Sequence, residues 1–317
     1  VVGSTKKLCS KCTQPAVIFI RYNGLHLCKE HFSEFVLRRV KREAKKQGRL
    51  RSGEIVGVAV SGGKDSIVAL HMMHELIASR PDVSLVALTV DEGIFGYRDK
   101  SIEAVRRNCE LLGVELHIVS FSDLIGFSMD EISSFGDVLG ECSYCGVFRR
   151  FCLNTLAKEL GVTRLVTGHN LDDMAQSVLM NVVNGDVAKM ARLGPHLKVR
   201  EGLIPRKMPL RLIPEKETML YALLNGFEFF DGECPYAVSA SRGYYRDVVD
   251  TLEFENPGSR HGLVKSYDAI KQLLHDSDSS EQRFELLKCG RCGEPSSQLL
   301  CKACELKEKL KSLSEGR

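Results

Sequence analysis

Val58-Ala59-Val60-Ser61-Gly62-Gly63-Lys64-Asp65-Ser66 decides the reading of this chain. An apolar, valine-rich run ends in serine and two glycines, and a helical pattern follows at once. A buried strand, a tight turn and a helix start are therefore expected in immediate succession. Gly62 and Gly63 permit a turn that another backbone or a ligand can approach closely. The amides of such a turn and of the helix start suit a phosphate. Ser61 and Ser66 add hydroxyls, Lys64 a positive charge, and Asp65 either a magnesium ligand or a helix cap. Asp follows the lysine, so this is not the Gly-x4-Gly-Lys-Ser/Thr loop. No third glycine stands where a dinucleotide fingerprint needs one.

Outward from this motif the chain alternates. Strands are expected at 54–60, 84–90, 115–120 and 164–167, with helices at 66–78, 98–112, 148–160 and 173–184. Such alternation predicts an α/β fold with a parallel sheet covered by helices on both faces, its chemistry outside the carboxyl ends of the strands. Ala59 closes the first of these strands. Thr89-Val90-Asp91-Glu92-Gly93 follows the second, where backbone groups of Val90 can meet an adenine. In Thr167-Gly168-His169-Asn170-Leu171-Asp172-Asp173, Gly168 allows close approach, and the Asp pair either orients a metal or attacking group or caps the next helix. His169 reads as positional. Beyond residue 185 proline breaks short pieces at 203–205 and 208–210. Helices are expected at 215–224, 247–255 and 263–274, before a polar break at 276–280.

The 317 residues suit two average domains, or one large domain with small modules. No run of 18 apolar residues suggests a membrane span, and no leader pattern supports secretion. Residues 1–51 carry 13 Lys+Arg against 3 Asp+Glu, while the rest of the chain is mildly acidic. A basic helix is expected over 36–50, with a face suited to phosphate backbones. A basic head of this kind argues for a polyanionic partner.

The twelve cysteines fall into classes. Cys9-x-x-Cys12 and Cys28-x-x-His31 make one four-ligand set, with short strands between them around Asn23-Gly24. His26, on one of those strands, reads as structural. Cys289-x-x-Cys292 and Cys301-x-x-Cys304 make a second set. Both suit tetrahedral zinc, which supplies folding energy that so small a core lacks; iron fits four thiolates in the same geometry. Cys109 and Cys152 read as buried core residues. Cys142 and Cys145 sit in a glycine-flanked turn expected before a helix, and Cys234 in a second turn. Three thiolates can hold a [4Fe–4S] cluster with one open iron, or carry a persulfide that Cys234 resolves, or lie inert.

Ser61-Gly62-Gly63-Lys64-Asp65-Ser66 is the loop of the PP-loop ATP pyrophosphatases. Together with Asp91-Glu92-Gly93-Ile94-x-Gly96-Tyr97-Arg98, Cys142-x-x-Cys145, Cys234-Pro235-Tyr236 and the two terminal metal modules, it resembles the TtuA/Ncs6 group of NcsA-like tRNA 2-thiouridine synthetases over roughly residues 8–305. The resemblance implies a nucleotide site at Ala59, Ser61, Gly62, Gly63, Lys64, Asp65, Ser66, Val90 and Gly168. It implies an active site of Cys142, Cys145, Cys234, Asp173 and Arg149, with Arg149 standing where family members often have lysine. It also implies ATP with Mg²⁺, a [4Fe–4S] cluster and two Zn²⁺. The expected reaction adenylates the uridine C2 carbonyl and replaces its oxygen with sulfur bound at the open iron. The wobble uridine 34 is favoured over uridine 54. Expected partners are tRNA, a sulfur donor (sulfide or a thiocarboxylated ubiquitin-like protein) and a second copy of the chain, in the cytoplasm. A 2-thiocytidine-type thiolase and a non-catalytic RNA-binding iron–sulfur protein are the alternatives. The expected organisation is a zinc module at 1–35, a basic linker helix at 36–52 and the catalytic domain at 53–232. A helical extension at 233–280 and a second zinc module at 281–310 follow.

Overall fold

A computed structural model describes residues 7–137, 139–196, 202–237, 242–277 and 287–315. The expected polar break at 276–280 and the start of the C-terminal module fall largely outside these residues.

The chain opens with a hairpin, β1 (Ile18–Ile20) and β2 (Leu25–Leu27), and continues into helix α1 (Lys29–Lys46). This helix starts directly after Cys28, earlier than its basic composition suggests, so His31 lies on its first turn. Phe32, Val36 and Val40 form its buried stripe, and the lysines and arginines occupy the other faces.

The body is β3 (Ile55–Ala59), α2 (Lys64–Ile77), β4 (Ser84–Asp91), α3 (Arg98–Leu112) and β5 (Glu115–Ser120). Short helices α4 (Phe121–Leu124) and α5 (Met129–Ser134) follow, then α6 (Glu141–Glu159), β6 (Arg164–Thr167) and α7 (Leu171–Val183). Next come α8 (Val187–Arg192), β7 (Arg206–Lys207), α9 (Glu215–Leu224), α10 (Arg242–Glu255) and α11 (Ser259–Ser277). The hairpin β8 (Leu287–Lys288) and β9 (Pro295–Ser296) and helix α12 (Lys302–Glu315) complete the described chain. No helix among the described residues is long and apolar enough to cross a membrane.

All neighbours in the five-stranded sheet are parallel, in the order β5-β4-β3-β6-β7. Helices α2 and α3 pack on one face and α6 on the other. The chain leaves β3 toward β4 and later returns to the opposite side of β3 as β6. The switch point thus lies between β3 and β6, where open α/β sheets take their ligands. Strands β3 and β6 are buried apolar runs, as a doubly covered parallel sheet requires.

Two expectations change. Cys142 and Cys145 are not in a turn before a helix: α6 begins at Glu141, with Gly140 at φ 70° as its N-cap, and Gly146 lies inside the helix. The loosely patterned stretch beyond residue 185 also holds α8 and β7. Strand β7 is only two residues long and exists through its pairing with β6.

Candidate active site

The phosphate loop fills the gap between Ala59 and Lys64. Gly62 has φ 92°, and a Cβ there would stand 2.2 Å from Ser101 O, so only glycine fits. Its carbonyl accepts from Phe230 N at 2.9 Å. Ser66 Oγ donates to Gly63 O (2.9 Å) and accepts from Ser61 N (3.1 Å), fastening the turn to the first turn of α2. From the β6 side, Gly168 meets the same loop: a Cβ would lie 2.8 Å from Asp65 O. The end of β6 thus packs against the backbone at the start of α2.

Lys64 is held rather than mobile. Its Nζ lies 2.6 Å from Glu215 Oε1 and 3.1 Å from Asp65 Oδ2. Asp65 Oδ1 is buried without a hydrogen-bond partner among the described residues. Burial raises the Asp65 carboxyl to about 6, with Asp173 adding to the rise and Lys64 and Asn170 opposing it. A buried carboxylate with one unused oxygen beside a second carboxylate suits a divalent cation. Asp173 also closes a capping box with Asn170 at the start of α7. Asp172 instead pairs with Arg260 (2.9 Å) and accepts from Glu215 N (2.8 Å). His169 Nδ1 lies 2.9 Å from Thr167 Oγ1.

A chain of alternating charges runs from this loop to the central thiols. Arg98 is buried; it donates to Ser61 O (2.9 Å) and to Val90 O, and its Nε lies 2.6 Å from Glu92 Oε2. Glu92 is also buried, and its other oxygen lies 2.7 Å from Arg149 Nε. Arg149 Nη2 donates to Cys145 Sγ at 3.1 Å. Burial raises the Cys145 thiol above its usual pKa, with Arg149 opposing the rise.

Cys142 and Cys145 lie on the first turns of α6. Cys142 Sγ approaches Tyr236 O at 3.5 Å, and Cys145 feels the charge of Cys234. The segment carrying Cys234 starts at Phe230, whose amide binds Gly62 O and whose ring packs edge-on to Tyr97 at 5.4 Å. Three thiols thus gather at one end of α6, tied to the phosphate loop by both routes. Three thiolates gathered at one end of a helix can hold an iron–sulfur group.

Cys9, Cys12, Cys28 and His31 form one terminal set, and Cys289, Cys292, Cys301 and Cys304 the other. Cys12 Sγ and Cys28 Sγ are 3.7 Å apart, and Cys292 and Cys301 3.6 Å. Ligands bound at about 2.3 Å around a tetrahedral ion stand roughly 3.8 Å apart, so both sets match one metal ion each. His26 stacks on Phe19 at 4.4 Å between ring centroids, outside the set. Cys109 and Cys152 are buried in the apolar core.

Residue-type reasoning gave no role to Glu92, Arg98 or Arg260. The available signal was acidic residues at the end of β4. Their partners lie far along the chain, and nothing local announces them.

Residues 8–33 match the model of the N-terminal LIM domain of 2-thiouridine synthetase TtuA, and residues 34–250 match the PP-loop domain. The chain is 37% identical over 319 residues to the tRNA 2-thiolation protein NcsA of Haloferax volcanii, covering 96% of this chain and 99% of that one. It is 37% identical over 311 residues to the cytoplasmic tRNA 2-thiolation protein 1 of Saccharomyces cerevisiae, covering 96% and 86%. The solved structure of the U34-tRNA thiolase NcsA from Methanococcus maripaludis, with its [4Fe-4S] cluster, superposes with a TM-score of 0.83 at 36% identity, over 96% of both chains.

Proposed function

Because the chain belongs to the PP-loop family of NcsA and the cytoplasmic tRNA 2-thiolation proteins, we propose that it is an ATP-dependent tRNA-uridine 2-sulfurtransferase acting on U34. The observation that carries this reading is the link Cys145–Arg149–Glu92–Arg98–Ser61, which fixes the thiol end of α6 against a phosphate-binding loop.

An amide-like carbonyl is a poor electrophile. The uridine O2 attacks the α-phosphorus of ATP and pyrophosphate leaves; sulfur then attacks C2, the C2–O bond breaks and AMP departs. The amides after Ser61 hold the phosphates, and Gly168 lets the β6 end close over the same loop. Asp65 and Asp173 would hold Mg²⁺, which would offset phosphate charge there. Val90 lies at the β4 end, where the adenine sits. Arg149, on the thiol side of Glu92, balances charge at the α-phosphate. Cys142, Cys145 and Cys234 hold the [4Fe–4S] cluster, which, when bound, offers one iron for an external sulfur ligand. The two terminal sets hold Zn²⁺, and α1 offers its basic faces to tRNA phosphates. The sulfur donor is sulfide or a thiocarboxylated ubiquitin-like protein, and the active form is a cytoplasmic homodimer.

The test is anaerobic reconstitution with iron and sulfide, then incubation with tRNA, ATP and Mg²⁺. Nucleoside mass spectrometry is expected to find 2-thiouridine at position 34, with AMP and pyrophosphate released. Only 2-thiocytidine, or no thiolated nucleoside, would refute the reading.

A further inference from the structure

Cys142, Gly146, Arg150 and Asn154 are spaced four apart and form one ridge of α6. Helical side chains lean toward the N-terminus, and Arg150 does so: its Nη1 lies 3.8 Å from where a Cβ on Gly146 would stand. The guanidinium thus folds back over Gly146, one turn from Cys142. At the other end of the ridge, Asn154 Oδ1 accepts from Arg206 Nη2 at 2.8 Å. Arg206 enters from the sheet-edge strand β7 and is half-buried.

The two guanidiniums are electrostatically unlike their neighbours. Lys64, Arg98, Arg149 and Arg260 each face a carboxylate. Arg150 and Arg206 have no carboxylate within ion-pair distance among the described residues. Crowding by surrounding atoms lowers both below the usual guanidinium range, although the Arg150 side chain still reaches solvent; the charge of Arg149 lowers Arg150 further against the opposing Cys145, and that of Arg150 lowers Arg206 further. Two guanidiniums that repel one another along one helix ridge, Arg206 anchored by Asn154, are costly unless an anion joins them.

We propose that Arg150 and Arg206 form a phosphodiester-binding site for the RNA strand that presents its base to the Cys142–Cys145 end of α6. This rests on the thiolation reading. The phosphates of ATP have their own loop at Ser61–Ser66. A base entering the thiol end brings its backbone along, and a planar guanidinium pair matches that backbone's oxygens.

The test compares wild type with Arg150→Gln, Arg206→Gln and the double variant, measuring tRNA affinity from 50 to 200 mM salt. ATP affinity and iron per chain are measured alongside. Arg150 is exposed, so its variant folds even if the Arg206 change disturbs β7. The double variant is expected to bind tRNA about tenfold more weakly near 100 mM salt, and its log–log salt slope to be shallower by about one to two. ATP affinity and iron content stay at wild-type values, and Arg150→Lys recovers part of the loss. Unchanged tRNA affinity and slope in variants of a wild type that binds and thiolates tRNA would overturn the site alone. A matching loss of ATP affinity with intact tRNA binding would assign these arginines to the nucleotide and overturn it too. A wild type that binds no tRNA would overturn the site and the thiolation reading together.

Discussion

Gly168, at the end of β6, lies against the backbone of Asp65, at the start of α2: a Cβ on the glycine would stand 2.8 Å from the aspartate carbonyl oxygen. The contact closes the switch point between the two central strands. Gly168→Ala is therefore expected to push the phosphate loop away from its neighbour and weaken ATP binding at least tenfold by calorimetry. The paired glycines of the loop should differ. Gly62→Ala meets Ser101 O at 2.2 Å with φ at 92°, whereas a Cβ on Gly63 meets only Ser61 Oγ, at 3.8 Å. Gly62→Ala should lower stability by about 2 kcal/mol or more, counting the left-handed backbone and the clash. Gly63→Ala should leave the melting temperature nearly unchanged.

Glu92 bridges Arg98 and Arg149 from a position that is itself 3% exposed. Removing the carboxylate strands the buried Arg98 charge. Glu92→Ala should cost about 3–5 kcal/mol in urea unfolding, the range for breaking a buried pair. Arg98→Met combined with Glu92→Met should cost less than either change alone. A double-variant loss equal to the sum of the singles would show that the pair is not coupled.

The parts of this site that could be read from the sequence are those whose signal is local. The strand–turn–helix of the phosphate loop and the Cys-x-x-Cys pairs are complete within a few residues, and spacing dictates their geometry. The start of α6 differs from the expected turn because Gly140 and Gly146 look like turn residues; one is a cap at positive φ, and the other lies inside the helix. Strand β7 was missed because two residues carry no periodicity. The Arg98–Glu92–Arg149 chain and the Arg206–Asn154 contact join separate elements, and single residue types cannot announce such pairings.

The terminal modules should respond separately to loss of a ligand. Cys12→Ser should lower bound zinc by about one equivalent and loosen β1–β2, since a structural metal contributes its binding energy to folding. Cys292→Ser should do the same at β8–β9. Elemental analysis of each variant and of the double variant checks this; a single-site variant that keeps both zinc ions would show that its set binds none.

His261 gives the protein a defined acid limb. Its Nε2 lies 3.2 Å from Arg39 Nη2, its ring packs on Tyr22 at 4.5 Å, and Glu253 and Arg260 are the other charges facing it. Burial first, then the charges of Arg39 and Arg260, lower its pKa to about 4, against the partial opposition of Glu253 and the Leu212 backbone. The unfolded chain, with an ordinary histidine near 6.5, binds this proton first. Stability from this residue is therefore level above pH 6.5, falls as pH drops toward 4 and levels off below that. Because the ring keeps some contact with solvent, the loss should be about 1–2 kcal/mol rather than the full linkage value. His261→Gln cannot take up the proton and should flatten that part of the curve. Denaturant unfolding of both proteins at pH 7, 5.5 and 4.5 checks it, and parallel curves would mean that the imidazole titrates alike in the folded and unfolded chains.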